Sequence, residues 1–211
     1  MVQVLQAKEV GLDDLSREFQ LEWVQEASFF PEWCDDRLPN LTAQEQHQLD
    51  QIKAGYLNHL KYPPLLEKTI QMIVVAPLLF LAGLYVPPFH IRAEKSIEIS
   101  LEDEGTVMRG SLDILLVRDG FWVMVIESKR ASFSTEAGLA QMLAYMLANP
   151  DRDRPTYGLI ASGSDFLFVK LMQDEPYPKY ATSDQFAMRR SGDIYEVFRI
   201  LKRLTTMSES I

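Results

Sequence analysis

The sequence has one cysteine, Cys34, in 211 residues, which excludes an internal disulfide and points to a reducing compartment, the cytoplasm. It has three histidines, His47, His59 and His90, and none forms a zinc-ligand spacing with Cys34, so a zinc centre has no support. There is no Gly-x-Ser-x-Gly elbow and no glycine-rich loop leading into a lysine, so neither α/β-hydrolase nor P-loop chemistry is indicated. Positive charge is scarce: 21 Lys and Arg stand against 30 Asp and Glu, and a net charge of −9 argues against coating nucleic acid by bulk attraction. Long apolar runs are also missing. Residues 72–86 are uncharged for 15 positions, short of the roughly 20 needed to span a bilayer. Pro77 interrupts that run and Pro87-Pro88 close it, so it reads as a kinked, buried helix with no membrane role. The start, MVQVLQAKEV, lacks the basic and apolar regions of a signal peptide.

What is present suits a globular chain. The apolar fraction is 47% and the charged fraction 24%, enough for a core without a disulfide or metal staple. The acidity is uneven: residues 1–60 carry 11 acids against 4 bases, residues 61–211 carry 19 against 17. The chain therefore divides into an acidic helical extension, 1–60, and a core, 61–211. In the extension, residues 8–28 and 41–60 read as helices. Thr42 with Glu45 three residues on has the spacing of a capping box.

In the core, Pro63-Pro64 opens a helix carrying Glu67 and running into the apolar stretch. Residues 95–102, 111–118, 121–129, 156–161 and 165–172 alternate or are rich in branched and aromatic residues, and read as five strands. Asp119-Gly120 marks a hairpin between the second and third. Residues 134–148, with Ser134 as candidate cap, and 191–206 read as helices. The expected fold is α/β, a mixed sheet of about five strands flanked by helices.

Chemistry concentrates between Gly110 and Tyr145: Gly110 to Asp113, then Glu127-Ser128-Lys129, then Gln141 and Tyr145. Glu127 and Lys129 are two apart and share one face of their strand's end. A two-residue turn at Asp119-Gly120 pairs Arg118 with Phe121, which sets Asp113 opposite Ile126, one step short of Glu127. The two carboxylates meet only if the strand bulges or splays. Two carboxylates, aided by the Ser128 main-chain carbonyl, form an oxygen donor set for a hard divalent cation such as Mg²⁺. Lys129 would then serve a metal-bound water or a phosphate. Gln141 and Tyr145, four apart, share a helix face.

Asp113 with Glu127-x-Lys129, after a strand hairpin and before a helix, resembles the PD-(D/E)xK nuclease superfamily. Gly110-x-x-Asp113 and Gln141-x-x-x-Tyr145 are similar to its RecB-type branch, and restriction-subunit-like proteins also resemble it. The resemblance covers residues 64–172 and implies a restriction-endonuclease-like core that hydrolyses DNA phosphodiesters with Mg²⁺, for which Mn²⁺ substitutes. It implies catalytic roles for Asp113, Glu127 and Lys129, a further carboxylate from Glu67, and substrate contacts from Gln141 and Tyr145. It implies DNA as partner, with a homodimer or a restriction or repair complex as the assembly. Two features depart from the pattern: Leu112 stands where proline is often found, and His90 is the one histidine near the place of the RecB-type histidine. The rival reading is a catalytically silent adaptor that keeps the fold and docks a partner through the acidic helices.

Overall fold

A computed structural model describes residues 3–34, 36–101, 106–118, 121–128, 135–173 and 176–207. The first part of the chain gives β1 (Gln3–Gln6), α1 (Leu12–Phe19), β2 (Glu22–Trp23) and α2 (Ala43–His59). Next come α3 (Glu67–Ile70), a π-helical turn (Gln71–Val75) and α4 (Ala76–Leu81). Then follow β3 (Phe89–Leu101), β4 (Thr106–Arg118), β5 (Phe121–Ser128) and α5 (Thr135–Leu147). The chain closes with β6 (Thr156–Ala161), β7 (Asp165–Met172), β8 (Lys179–Thr182), β9 (Phe186–Ala187) and α6 (Asp193–Met207).

The fold is α/β. Among the described residues nine strands join one mixed sheet, with the path β1-β4-β5-β6-β7-β8-β2, β3 beside β4 and β9 beside β7. The expectation of about five strands counted only β3 to β7. The four it lacked are two to four residues long, too short to show a period. β3, β4 and β5 are antiparallel neighbours, and β6 runs parallel to β5 with α5 as the crossover.

The sheet is buried on both faces. On one face Leu116, Met124, Ile126, Phe166 and Phe168 pack against Ile70, Val74 and Leu78 of the α3–α4 run and Val197 and Leu201 of α6. On the other, Leu115, Val125, Ile160 and Val169 pack against Met142, Leu143 and Met146 of α5 and Leu15 of α1. Such two-sided burial is why β6 reads TYGLIA without a polar residue facing water.

The first 60 residues supply both ends of the sheet path. β1 pairs with β4 and β2 pairs with β8, and α1 between them packs on α5. The helix expected over 8–28 is therefore short. Gln20 takes a left-handed conformation (φ 53°) that ends α1, and the chain turns into β2. α2 does start at the Thr42–Glu45 capping box, with the Glu45 amide donating to Thr42 Oγ1 at 3.2 Å and the Thr42 amide to Glu45 Oε2 at 2.7 Å.

The apolar run 72–86 is helical only to Leu81. Pro77 has no N–H to donate, and the turn before it widens so that the Ala76 amide bonds the Gln71 carbonyl, five residues back. Gly83 (φ 76°) then ends the helix as the Leu84 amide reaches the Leu79 carbonyl at 3.0 Å.

A buried polar clip fastens the 29–33 segment to the sheet. Lys170 Nζ donates to Glu32 Oε1 (2.7 Å) and to the Phe29 carbonyl (2.8 Å), and Tyr157 Oη donates to the same Glu32 oxygen (3.0 Å). The Lys170 and Glu32 side chains are only 12% and 7% exposed. Removing one partner strands the other's charge. Lys170→Met should lose about 3 kcal/mol or more of unfolding free energy in urea, and the double variant Glu32→Gln/Lys170→Met should recover part of it. Equal stability of Lys170→Met and wild type would contradict the clip.

Candidate active site

β4 changes partner along its length. β3 flanks it throughout on one side; on the other side β1 pairs with Thr106–Arg109 and β5 with Ile114–Arg118. Residues 110–113 therefore lie where β1 has ended and β5 has not yet joined. The sequence-predicted motif Gly110 to Asp113 occupies this gap.

The β4–β5 register bears on how the two acids are placed. Next to the hairpin turn, Arg118 pairs with Phe121 and Val117 with Trp122, as a two-residue link dictates. The register then shifts by one: Leu116 pairs with Met124, Leu115 with Val125 and Ile114 with Ile126. Val123 is the extra residue of this β-bulge. Core packing agrees, since Trp122 and Val125 face α5 whereas Met124 and Ile126 face the opposite layer. Continued one step beyond Ile114, the shifted register would set Asp113 opposite Glu127.

A second irregularity lies at Asp113. Gly110 and Leu112 face α5, but Ile114 and Leu116 face the α3–α4 layer, so the alternation of β4 switches at residue 113. β3 switches with it. Ala93 pairs with Ile114 and Lys95 with Leu112, and Glu94 between them is left-handed (φ 51°). Asp113 thus sits at the switch with Glu94 as its neighbour on β3. Its charge acts on Tyr145 of α5 and on Lys68 of α3.

Glu127 is 3% exposed, and its support comes from α5. Gln141 Nε2 donates to Glu127 Oε1 at 2.9 Å and to Tyr145 Oη at 2.6 Å. The Ser111 main chain also reaches the Tyr145 hydroxyl. Tyr145 is 2% exposed, so its ring presents no face to a substrate, and it acts on the site through Gln141. Through these bonds the Gln-x-x-x-Tyr pair braces Glu127 from behind. Gly110 makes the arrangement possible, because a Cβ there would lie 2.6 Å from Tyr145 Cε1 and 2.9 Å from Ala7 Cβ.

On the other face of the sheet, α3 and α4 enclose an open cleft of about 670 Å³ against β3 and β4. Asp113, Glu94, Lys68 and His90 line it beside apolar Met72 and Tyr85. Lys68 Nζ donates to Glu94 Oε1 at 2.6 Å. Glu67 begins α3 and is exposed; its charge acts on Lys68. Glu94 and Lys68 escaped sequence reasoning. Glu94 lies before the expected start of its strand at residue 95, and Lys68 was an unremarkable neighbour of Glu67.

Ser128 ends β5 beside Ala161. Lys129, the Asp119-Gly120 turn and the Ser134 cap lie outside the described residues. Among the described residues no three His, Cys, Asp or Glu side chains gather into a metal-holding group. Asp113, which lines the α3–α4 cleft and whose charge also reaches Tyr145, and Glu127, bonded from α5, carry hard oxygens of the kind Mg²⁺ takes while keeping several waters. No helix among the described residues is long and apolar enough to cross a membrane. No protein-family model matches the sequence, and no curated protein matches it.

Two outcomes follow from the Tyr145 packing. Gly110→Ala should lose about 1–3 kcal/mol in urea unfolding, because a methyl group is forced into a filled contact. Tyr145 gives a pH signature. Burial pushes its phenol from 10.0 up to about 12, against the hydrogen bond from Gln141 and with help from the charges of Glu127 and Asp113. The fold favours the neutral phenol, so this stabilisation is complete below pH 10 and is lost as pH rises toward 12. Tyr157 adds a loss of the same sign. Tyr145→Phe should flatten the alkaline fall in unfolding free energy, and an unchanged slope would contradict the burial of this hydroxyl.

Proposed function

We propose that this chain is a metal-dependent nuclease of the restriction-endonuclease-like type that hydrolyses DNA phosphodiester bonds. The observation that carries the reading is the one-residue shift in the β4–β5 ladder, which, continued one step beyond Ile114 and Ile126, would bring Asp113 opposite Glu127. The order of elements supports it: a helix with Glu67, three antiparallel strands, a crossover helix with Gln141 and Tyr145, and a parallel strand. So does the position of Glu127 near the carboxyl end of β5, beside the carboxyl end of its parallel neighbour β6, where open α/β sheets bind ligands.

In this reading Asp113, Glu127 and the Ser128 carbonyl would hold Mg²⁺ or Mn²⁺. Such a cation, when bound, polarises a phosphoryl oxygen and lowers the pKa of the attacking water. Glu127 keeps its orientation because Gln141 holds one carboxylate oxygen while Tyr145 holds Gln141. Lys129, two residues beyond Glu127, would orient the attacking water or neutralise charge on the phosphate. Glu67, at the start of α3, adds negative charge beside the cleft. The substrate would be DNA, and the setting the cytoplasm.

Cleavage of supercoiled plasmid by the purified chain in Mg²⁺ tests this. Wild type should nick or cut the plasmid, EDTA should stop it, and Asp113→Asn, Glu127→Gln and Lys129→Ala should each lose about 100-fold or more. A well-folded wild type that leaves plasmid intact in both Mg²⁺ and Mn²⁺ supports the adaptor reading and overturns this one.

A further inference from the structure

The cleft beside Asp113 has a cation of its own. Lys68 lines it from α3 and Glu94 lines it from β3, and their 2.6 Å ion pair spans the two elements. The pair is not a structural clip of the core: its side chains are 66% and 70% exposed. In water so exposed a pair contributes little, so it exchanges partners readily. Three acids surround this ammonium, Glu94 by hydrogen bond and Asp113 and Glu67 through space, and they keep it protonated. Glu94 itself is left-handed (φ 51°) in the middle of a long strand, a conformation unfavourable for a residue with a side chain. Sheet pairing on either side, Ala93 with Ile114 and Lys95 with Leu112, holds it there.

A polyanion entering this cleft meets two carboxylates that repel it and one exposed ammonium that attracts it. The favourable move is for Lys68 to leave Glu94 for a phosphate oxygen, a stronger charge-assisted contact than an exposed pair provides. We propose that Lys68 is the phosphate-binding cation of the cleft and that Glu94 is its resting partner, displaced when the nucleic-acid backbone enters. The proposal rests on the nuclease reading and adds to it the residue that grips the substrate's backbone. Lys68 is then a binding residue, and Glu94 sets how available it is.

The test is the affinity of a short fluorescein-labelled DNA duplex for the full chain, read by anisotropy across a salt series with Ca²⁺ in place of Mg²⁺. Lys68→Met should weaken binding and reduce the slope of log affinity against log salt by about 1, the signature of one lost phosphate contact. Glu94→Gln should tighten binding about two- to fivefold, since the exposed pair no longer competes. In a Lys68→Met background the same Glu94→Gln change should shift affinity less than about twofold, which separates release of Lys68 from general relief of repulsion. Wild-type slope in Lys68→Met, or equal gains from Glu94→Gln in both backgrounds, overturns the proposal while the nuclease reading stands. A wild type that binds no duplex overturns both.

Discussion

Side chains in a β-ladder alternate, so a slip of one residue moves every one of them to the other face. The β4–β5 hairpin uses one such slip. The turn by itself would pair Asp113 with Ile126 and leave the two acids on opposite faces. Val123 is inserted between Trp122 and Met124, and from there inward the ladder is displaced by one. The apolar residues tolerate the displacement because the sheet is covered on both sides, so Met124, Val125 and Ile126 find a core whichever way they point. The acids do not have that freedom. In the proposed site, an ion shared by Asp113 and Glu127 depends on the bulge.

A carboxylate as buried as Glu127 is costly unless its oxygens are hydrogen-bonded. α5 supplies one such bond, from Gln141 to Oε1, and Tyr145 fixes Gln141 in turn. The chain of dependence continues into β4, where only the absence of a side chain at Gly110 lets the Tyr145 ring lie against the strand. Gly110, Gln141 and Tyr145 thus form one unit, and its product is the position of Glu127. The opposite side of the site is built differently. Lys68 and Glu94 are exposed and pair across the gap between α3 and β3, so rigidity belongs to the α5 face and adaptability to the α3 face.

Much of this was legible in the sequence because it is local. Thr42 and Glu45 announced their cap, β6 and β7 were bounded by turn residues, and Asp113, Glu127, Gln141 and Tyr145 stood out by chemistry and spacing. What escaped is set by tertiary contact. β1 and β2 are four and two residues long and become strands only because β4 and β8 offer them an edge. Gln20 ends α1 in a conformation nothing in its neighbourhood encodes. The bulge at Val123 could be named as a requirement but not located, since a valine in a bulge looks like any strand valine. The face of Tyr145 was hidden for the same reason: its place opposite Gly110 arises from two segments 35 positions apart in numbering. The Lys68–Glu94 pair joins a helix and a strand across a gap that spacing rules do not bridge.

The central claim is that Asp113 and Glu127 face one another closely enough to share one cation. A crystal of the full chain soaked in Mn²⁺ and measured at the manganese edge tests it most directly. A single anomalous peak is expected between the two carboxylates, with Gln141 still on Glu127, and no peak in crystals of Asp113→Asn. Manganese absent from that position in wild type, or the two carboxylates on opposite faces of the sheet, would contradict it.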